Sequence, residues 1–154
     1  MLSYKTLYKD GEFISACALG VASGTWFMFA PDATDKIRDH FADILTVTSI
    51  IFGFTLSTLT YYISASAAWR KDEKVNSVAS KLVSWHVWSI LWQLILIVYV
   101  IGLWVLEYAF NLAAVAVATS YGILVFIASY VGFQILNHAL TLWWVFERRD
   151  RLGS

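Results

Sequence analysis

The stretch TVTSIIFGFTLSTLTYYISASA, Thr46–Ala67, decides what kind of protein this is. It is long and apolar enough to cross a bilayer, which needs roughly 18–20 residues of helix. It also carries a hydroxyl side chain at nearly every turn. At 100° per residue, Thr46, Ser49, Gly53, Ser57, Thr60, Ser64 and Ala67 fall within an arc of about 80°. Leu45, Phe52, Leu56, Leu59 and Ile63 form an adjacent sector suited to lipid.

Similar runs occupy the rest of the chain. With 59% hydrophobic and 14% charged residues among 154, a soluble domain could not keep its apolar area from water. Four spans are expected, at about 13–30, 44–68, 82–110 and 112–146, in an all-α, integral membrane four-helix bundle of one domain. Little chain is left for a catalytic domain outside the bilayer, and the reading is of a protein that is not an enzyme. Met28-Phe29-Ala30 lacks the small-x-small pattern of a cleavage site, so the first span is expected to be retained. Cys17 is the one cysteine and lies within that span, which excludes an intramolecular disulfide.

Nine of the eleven basic residues lie in the amino-terminal segment, the second connection and the tail. Positive residues stay cytoplasmic, so the expected topology is N-in and C-in. Asp32, Asp35, Asp39, Asp43 and Glu107 sort to the other side. Zero net charge therefore covers a dipolar layout, acidic outside and basic inside.

Within the first span, Ala16, Gly20 and Gly24 make a small-residue face fit for close helix packing. Pro31 starts a new helix, expected to run from near Asp35 unbroken through the second span. On that geometry the hydroxyl arc continues outward to Ala42, Asp39 and Asp35 and inward to Lys71. Two explanations compete. Small side chains let the helix pack inside its own bundle, with hydroxyls bonded to carbonyls one turn back. Alternatively, several copies surround an axis, Thr46, Ser49, Gly53, Ser57, Thr60 and Ser64 line a pore, and Asp35, Asp39 and Lys71 stand at its mouths. A conducting version must be a homo-oligomer, a tetramer or pentamer, because one chain cannot enclose a pore with four helices and also shield it from lipid.

Other polar residues fall inside the spans: His86 and Gln93 on the third, Gln134, Asn137 and His138 on the fourth. Such groups are costly in a bilayer. They can form an interhelical polar network, or His86 and His138 can ligate one haem. No spacing for a metal site is present, and no metal is expected. Arg148, Arg149 and Arg151 satisfy the positive-inside rule. They also offer an inner basic patch to lipid headgroups, a cytoplasmic regulator, or a nucleotide or oligonucleotide.

In its layout of four spans with short polar ends, and in TVTSIIFGFTLSTLT flanked by Asp35, Asp39 and Lys71, the chain resembles the compact, channel-like membrane effectors of bacterial anti-phage defence operons. The resemblance implies a multi-pass protein of the bacterial inner membrane that conducts ions or depolarises the membrane when a cytoplasmic partner releases it. The four-span glutathione- and leukotriene-metabolising enzymes are less similar, since their spans carry Arg and these do not. A non-conducting scaffold or accessory subunit is the alternative function.

Overall fold

A computed structural model describes the backbone of residues 11–69, 73–110 and 112–152. It describes their side chains except at 62, 65–69, 73–82, 138 and 141–152. The described residues form five helices and no strand: α1 (Gly11–Phe29), α2 (Pro31–Asp39), α3 (Phe41–Trp69), α4 (Glu73–Ala109) and α5 (Ala114–Leu152). All but α2 are long and apolar enough to cross a membrane. Helices answer the bilayer's demand directly, because each satisfies its backbone N–H and C=O groups within the segment. The fold is that of a multi-pass membrane protein.

The helices follow the expected spans with adjusted ends. The second polar connection is largely absorbed into α4, and α5 runs through Gly122 without a break. At 1.5 Å per residue α5 is about 58 Å long and α4 about 56 Å, each well over the roughly 30 Å hydrocarbon thickness.

One expectation is overturned. The second span does not begin near Asp35 as one helix. Pro31 occupies the first turn of α2, where its missing N–H costs nothing. α2 stops at His40, whose backbone leaves helical geometry (φ −102°, ψ 11°). The His40 N–H donates to the Ile37 carbonyl at 3.0 Å, and the His40 carbonyl accepts the first bond of α3, from Ile44 N–H at 2.9 Å. Asp43, in the first turn of α3, accepts from His40 Nδ1 at 2.9 Å. This side-chain bond ties the residue before α3 to the first turn of that helix.

α2 is amphipathic. Ala33 and Ile37 pack against the core, while Asp32, Asp35, Lys36, Arg38 and Asp39 are exposed. It sits at one end of the molecule, the Pro31 end, near the α4–α5 connection. Gly11, Trp69 and Glu73 mark the opposite, Gly11 end.

The four long helices pack as a row rather than a closed square. α1 lies along α5, α5 along α4, and α4 along α3. At the Pro31 end, Phe41 of α3 also stacks on Tyr121 of α5, ring centroids 5.9 Å apart. Burial follows this order: 39% of the apolar window of α5 is buried against 6% of that of α3. α5 is therefore central and α3 is an edge.

The tightest contact is the α1–α5 seam. Ala16 and Ala118 are fully or almost fully buried there. A Cβ added at Gly20 would lie 2.6 Å from Phe126 Cβ and 2.9 Å from the Gly122 carbonyl oxygen. One added at Gly122 would lie 2.9 Å from both Gly20 O and Gly24 Cα. In lipid there is no hydrophobic drive between helices, so close backbone approach supplies the attraction. Gly24 has more room, its nearest atoms being 3.4 Å and 3.5 Å away. Beside the seam, Phe13 stands edge-on to Phe126 and Tyr130, and Trp92 of α4 stands edge-on to Tyr130 at 4.8 Å.

These distances rank three substitutions. Gly122→Ala and Gly20→Ala should each lower thermal stability in detergent by about 1–3 kcal/mol, the usual cost of overpacking. Gly24→Ala should change it much less. Thermal unfolding of the purified variants checks the order, and equal effects at all three would contradict the seam.

Candidate pore-lining face and the polar core

α3 carries hydroxyls on two faces, and they differ in what they meet. Thr46, Ser49, Gly53, Ser57, Thr60 and Ser64 are all exposed on the protomer. Nothing lies within 4 Å of a Cβ placed on Gly53. The stripe therefore forms no packing seam with the described residues of its own protomer, although its hydroxyls do bond back as the packing explanation expects. Packing on α4 uses the other face, where Thr48 is 6% exposed and Thr55 is part-buried.

Four of the five hydroxyl protons of the stripe are spent on backbone carbonyls. Thr46 Oγ1 donates to the Ala42 carbonyl at 2.8 Å. Ser57 donates to Gly53, Thr60 to Leu56 and Ser64 to Tyr61, each at 2.9 Å. Such back-bonding leaves each oxygen with its lone pairs directed away from the helix. The exposed stripe thus offers acceptors, a surface that favours cations over anions. Val47, Ile50, Phe54 and Ile63 are exposed beside it, so the remaining perimeter of α3 suits lipid.

The proposed mouths are altered by the break at His40. Asp35 and Asp39 sit on α2, so the hydroxyl arc does not run continuously into them. Asp35 is paired with Arg38 at 2.9 Å, and both are substantially exposed. Asp39 is exposed. Lys71 lies outside the described residues, and the side chains of Arg148, Arg149, Arg151 and His138 do likewise.

Four of the six buried polar residues among the described ones lie on α4 and α5 toward the Gly11 end, and Thr34 and Thr48 lie apart from them. His86, Ser89 and Gln93 are 3%, 0% and 0% exposed, spaced to share one face of α4. Gln93 Nε2 donates to Thr55 Oγ1 at 3.1 Å and to Ser89 Oγ at 3.2 Å. The first of these ties α4 to α3. Gln134 is buried on α5. Asn137 is exposed and turns elsewhere, its Nδ2 donating to Glu12 on α1. Gln93 and Asn137 therefore belong to different contacts. Two further bonds hold α4 to α5: Trp88 Nε1 to Tyr130 Oη at 3.3 Å and Tyr99 Oη to the Ser120 carbonyl at 2.9 Å. At the Pro31 end, Tyr121 Oη donates to Glu107 at 3.1 Å.

Several of these contacts had signals in the sequence. Ala118 and Gly122 form a small-xxx-small pair on α5 that answers Gly20 and Gly24. Thr55 lies off the stripe, and its partner Gln93 becomes identifiable only once the level of α3 against α4 is known. The Glu12–Asn137 bond spans 125 residues and has no local signature. Among the described residues, no three His, Cys, Asp or Glu side chains are grouped to hold a metal ion.

The two faces of α3 should respond differently to mutation. Thr55→Val removes the acceptor of a part-buried interhelical bond and should cost about 0.5–1.5 kcal/mol. Ser57→Ala, on the exposed stripe, should leave protomer stability within about 0.5 kcal/mol. Thermal unfolding in detergent at a concentration that keeps the protein monomeric measures both.

No family model matches the chain, and no curated protein or solved structure matches it.

Proposed function

We propose that the protein is a homo-oligomeric, ion-conducting or membrane-depolarising channel in which α3 lines the pore. The observation that carries this reading is the acceptor stripe on an edge helix. Thr46, Ser49, Ser57, Thr60 and Ser64 lie exposed on the outside of the protomer, where lipid, water or another chain can meet them. Around a shared axis, several such stripes form a polar wall whose oxygens replace part of a cation's water shell. Gly53, with open space at its Cβ position, gives that wall its lowest relief.

The surroundings fit the same reading. With the positive-inside rule setting N-in and C-in, the acidic residues of α2 and Asp43 lie on the outer face, where they raise the local cation concentration. A tetramer or pentamer supplies enough copies for an aperture. The bacterial inner membrane and a role in anti-phage defence follow from the resemblance in layout. Arg148, Arg149 and Arg151 would then present a basic inner face to a cytoplasmic regulator or a nucleotide.

A second reading has its own support. Back-bonded hydroxyls are satisfied without water and can face lipid or a partner helix. A non-conducting scaffold subunit would use α3 in that way. For haem ligation by His86 and His138, no described contact adds support.

Flux measurements separate the two. In proteoliposomes the unmodified protein should pass monovalent cations, and the Ser57→Leu/Thr60→Leu double variant should lose at least about 90% of that flux, because each Leu removes an acceptor and fills space. The particle should have a mass four or five times 17.4 kDa. A monomer without flux would establish the scaffold reading instead.

A further inference from the structure

The core of the protomer changes character along its length. On α4 it is apolar toward the Pro31 end, with Leu96, Val100 and Leu103 buried. Toward the Gly11 end the same face of α4 continues as Gln93, Ser89 and His86, all buried. Gln134 takes the corresponding place on α5. Among the described residues, the buried side-chain polar atoms without a hydrogen-bond partner are Trp92 Nε1, Gln93 Oε1 and Gln134 Oε1. All three belong to this polar half.

The amide of Gln93 cannot be turned round to cure its defect. Thr55 gives its one hydroxyl proton to the Ile51 carbonyl at 2.9 Å, so toward Gln93 it can only accept. The nitrogen of Gln93 must therefore face Thr55, and Oε1 must face away. An acceptor left bare there is costly, and a leucine would be the better residue in a dry seam.

The level of the groups follows from the α4–α5 contacts. The Trp88–Tyr130 bond and the Trp92–Tyr130 ring contact place Tyr130 opposite residues 88–92. The short connection makes α4 and α5 antiparallel, so Gln134, one turn past Tyr130, lies level with His86. Gln93 and Trp92 stand about 10 Å farther along, seven residues at 1.5 Å each.

We propose that this polar half of the core holds a file of internal water molecules, running beside Ser89 and His86 from Gln93 and Trp92 to Gln134. The three bare groups are two acceptors and one donor. A metal cation or an ammonium would serve the two carbonyl oxygens but not the indole N–H. Water donates and accepts, and so serves all three. About three molecules at hydrogen-bond spacing span the 10 Å. The file lies within one protomer and does not depend on how many copies assemble.

The chain contains two glutamines, Gln93 and Gln134, so glutamine labelled with ¹⁵N in its side chain gives two amide signals in the full-length protein. In nanodiscs of deuterated lipid, both should show rotating-frame cross-peaks to water of the sign that marks a long-lived neighbour rather than chemical exchange. Ser89→Val, which narrows the file, should reduce the Gln93 cross-peak to baseline while the Gln134 signal persists. A water cross-peak missing at either glutamine of the unmodified protein, or one at Gln93 untouched by Ser89→Val in a folded variant, would overturn the proposal.

Discussion

In the membrane-spanning part of this protein, a polar group must find its partner in the chain or keep water beside it, because hydrocarbon offers none. The backbone meets this demand by forming long helices. The hydroxyls of α3 meet it by bonding one turn back, as Thr46, Thr48, Ser57 and Thr60 all do. Between helices it produces a small number of specific ties, Gln93 to Thr55, Trp88 to Tyr130 and Tyr99 to Ser120. These ties fix the levels of α3, α4 and α5, while the glycine seam fixes α1 against α5. The arrangement in a row follows from where small residues and hydrogen-bond partners happen to lie.

Much of this was legible in the residues. Long apolar runs predicted four membrane helices because length and hydropathy suffice for that purpose. Gly20 and Gly24 predicted a close seam, since small residues four apart on a membrane helix have that common use. The break at His40 was not foreseen, because neither Pro nor Gly marks it. The His40–Asp43 contact that accompanies it joins two side chains, and such a pair at i, i+3 fits a continuous helix equally well. Helix order escaped for a different reason. The face a hydroxyl stripe presents depends on which neighbours its helix has, and one helix's periodicity cannot tell an inner neighbour from open space.

That distinction bears on function. Hydroxyls at helical spacing fit a packing seam or a polar wall equally well when read along the chain. Placed on an edge helix, with Gly53 open and the inward face occupied by Thr48 and Thr55, they are free of the protomer's own packing. The transport proposal rests on this geometry together with the lone pairs that back-bonding turns outward.

α3 is also held unevenly. It is held along one flank by α4 and at its His40 end by Phe41 on Tyr121, while its hydroxyl flank meets none of the described residues, so mechanically it is a cantilever. Elements with few buried contacts open and shift at lower free energy than the rest of a fold. Whatever touches the free flank of α3 therefore works against a more compliant beam than the closely packed pair α1 and α5.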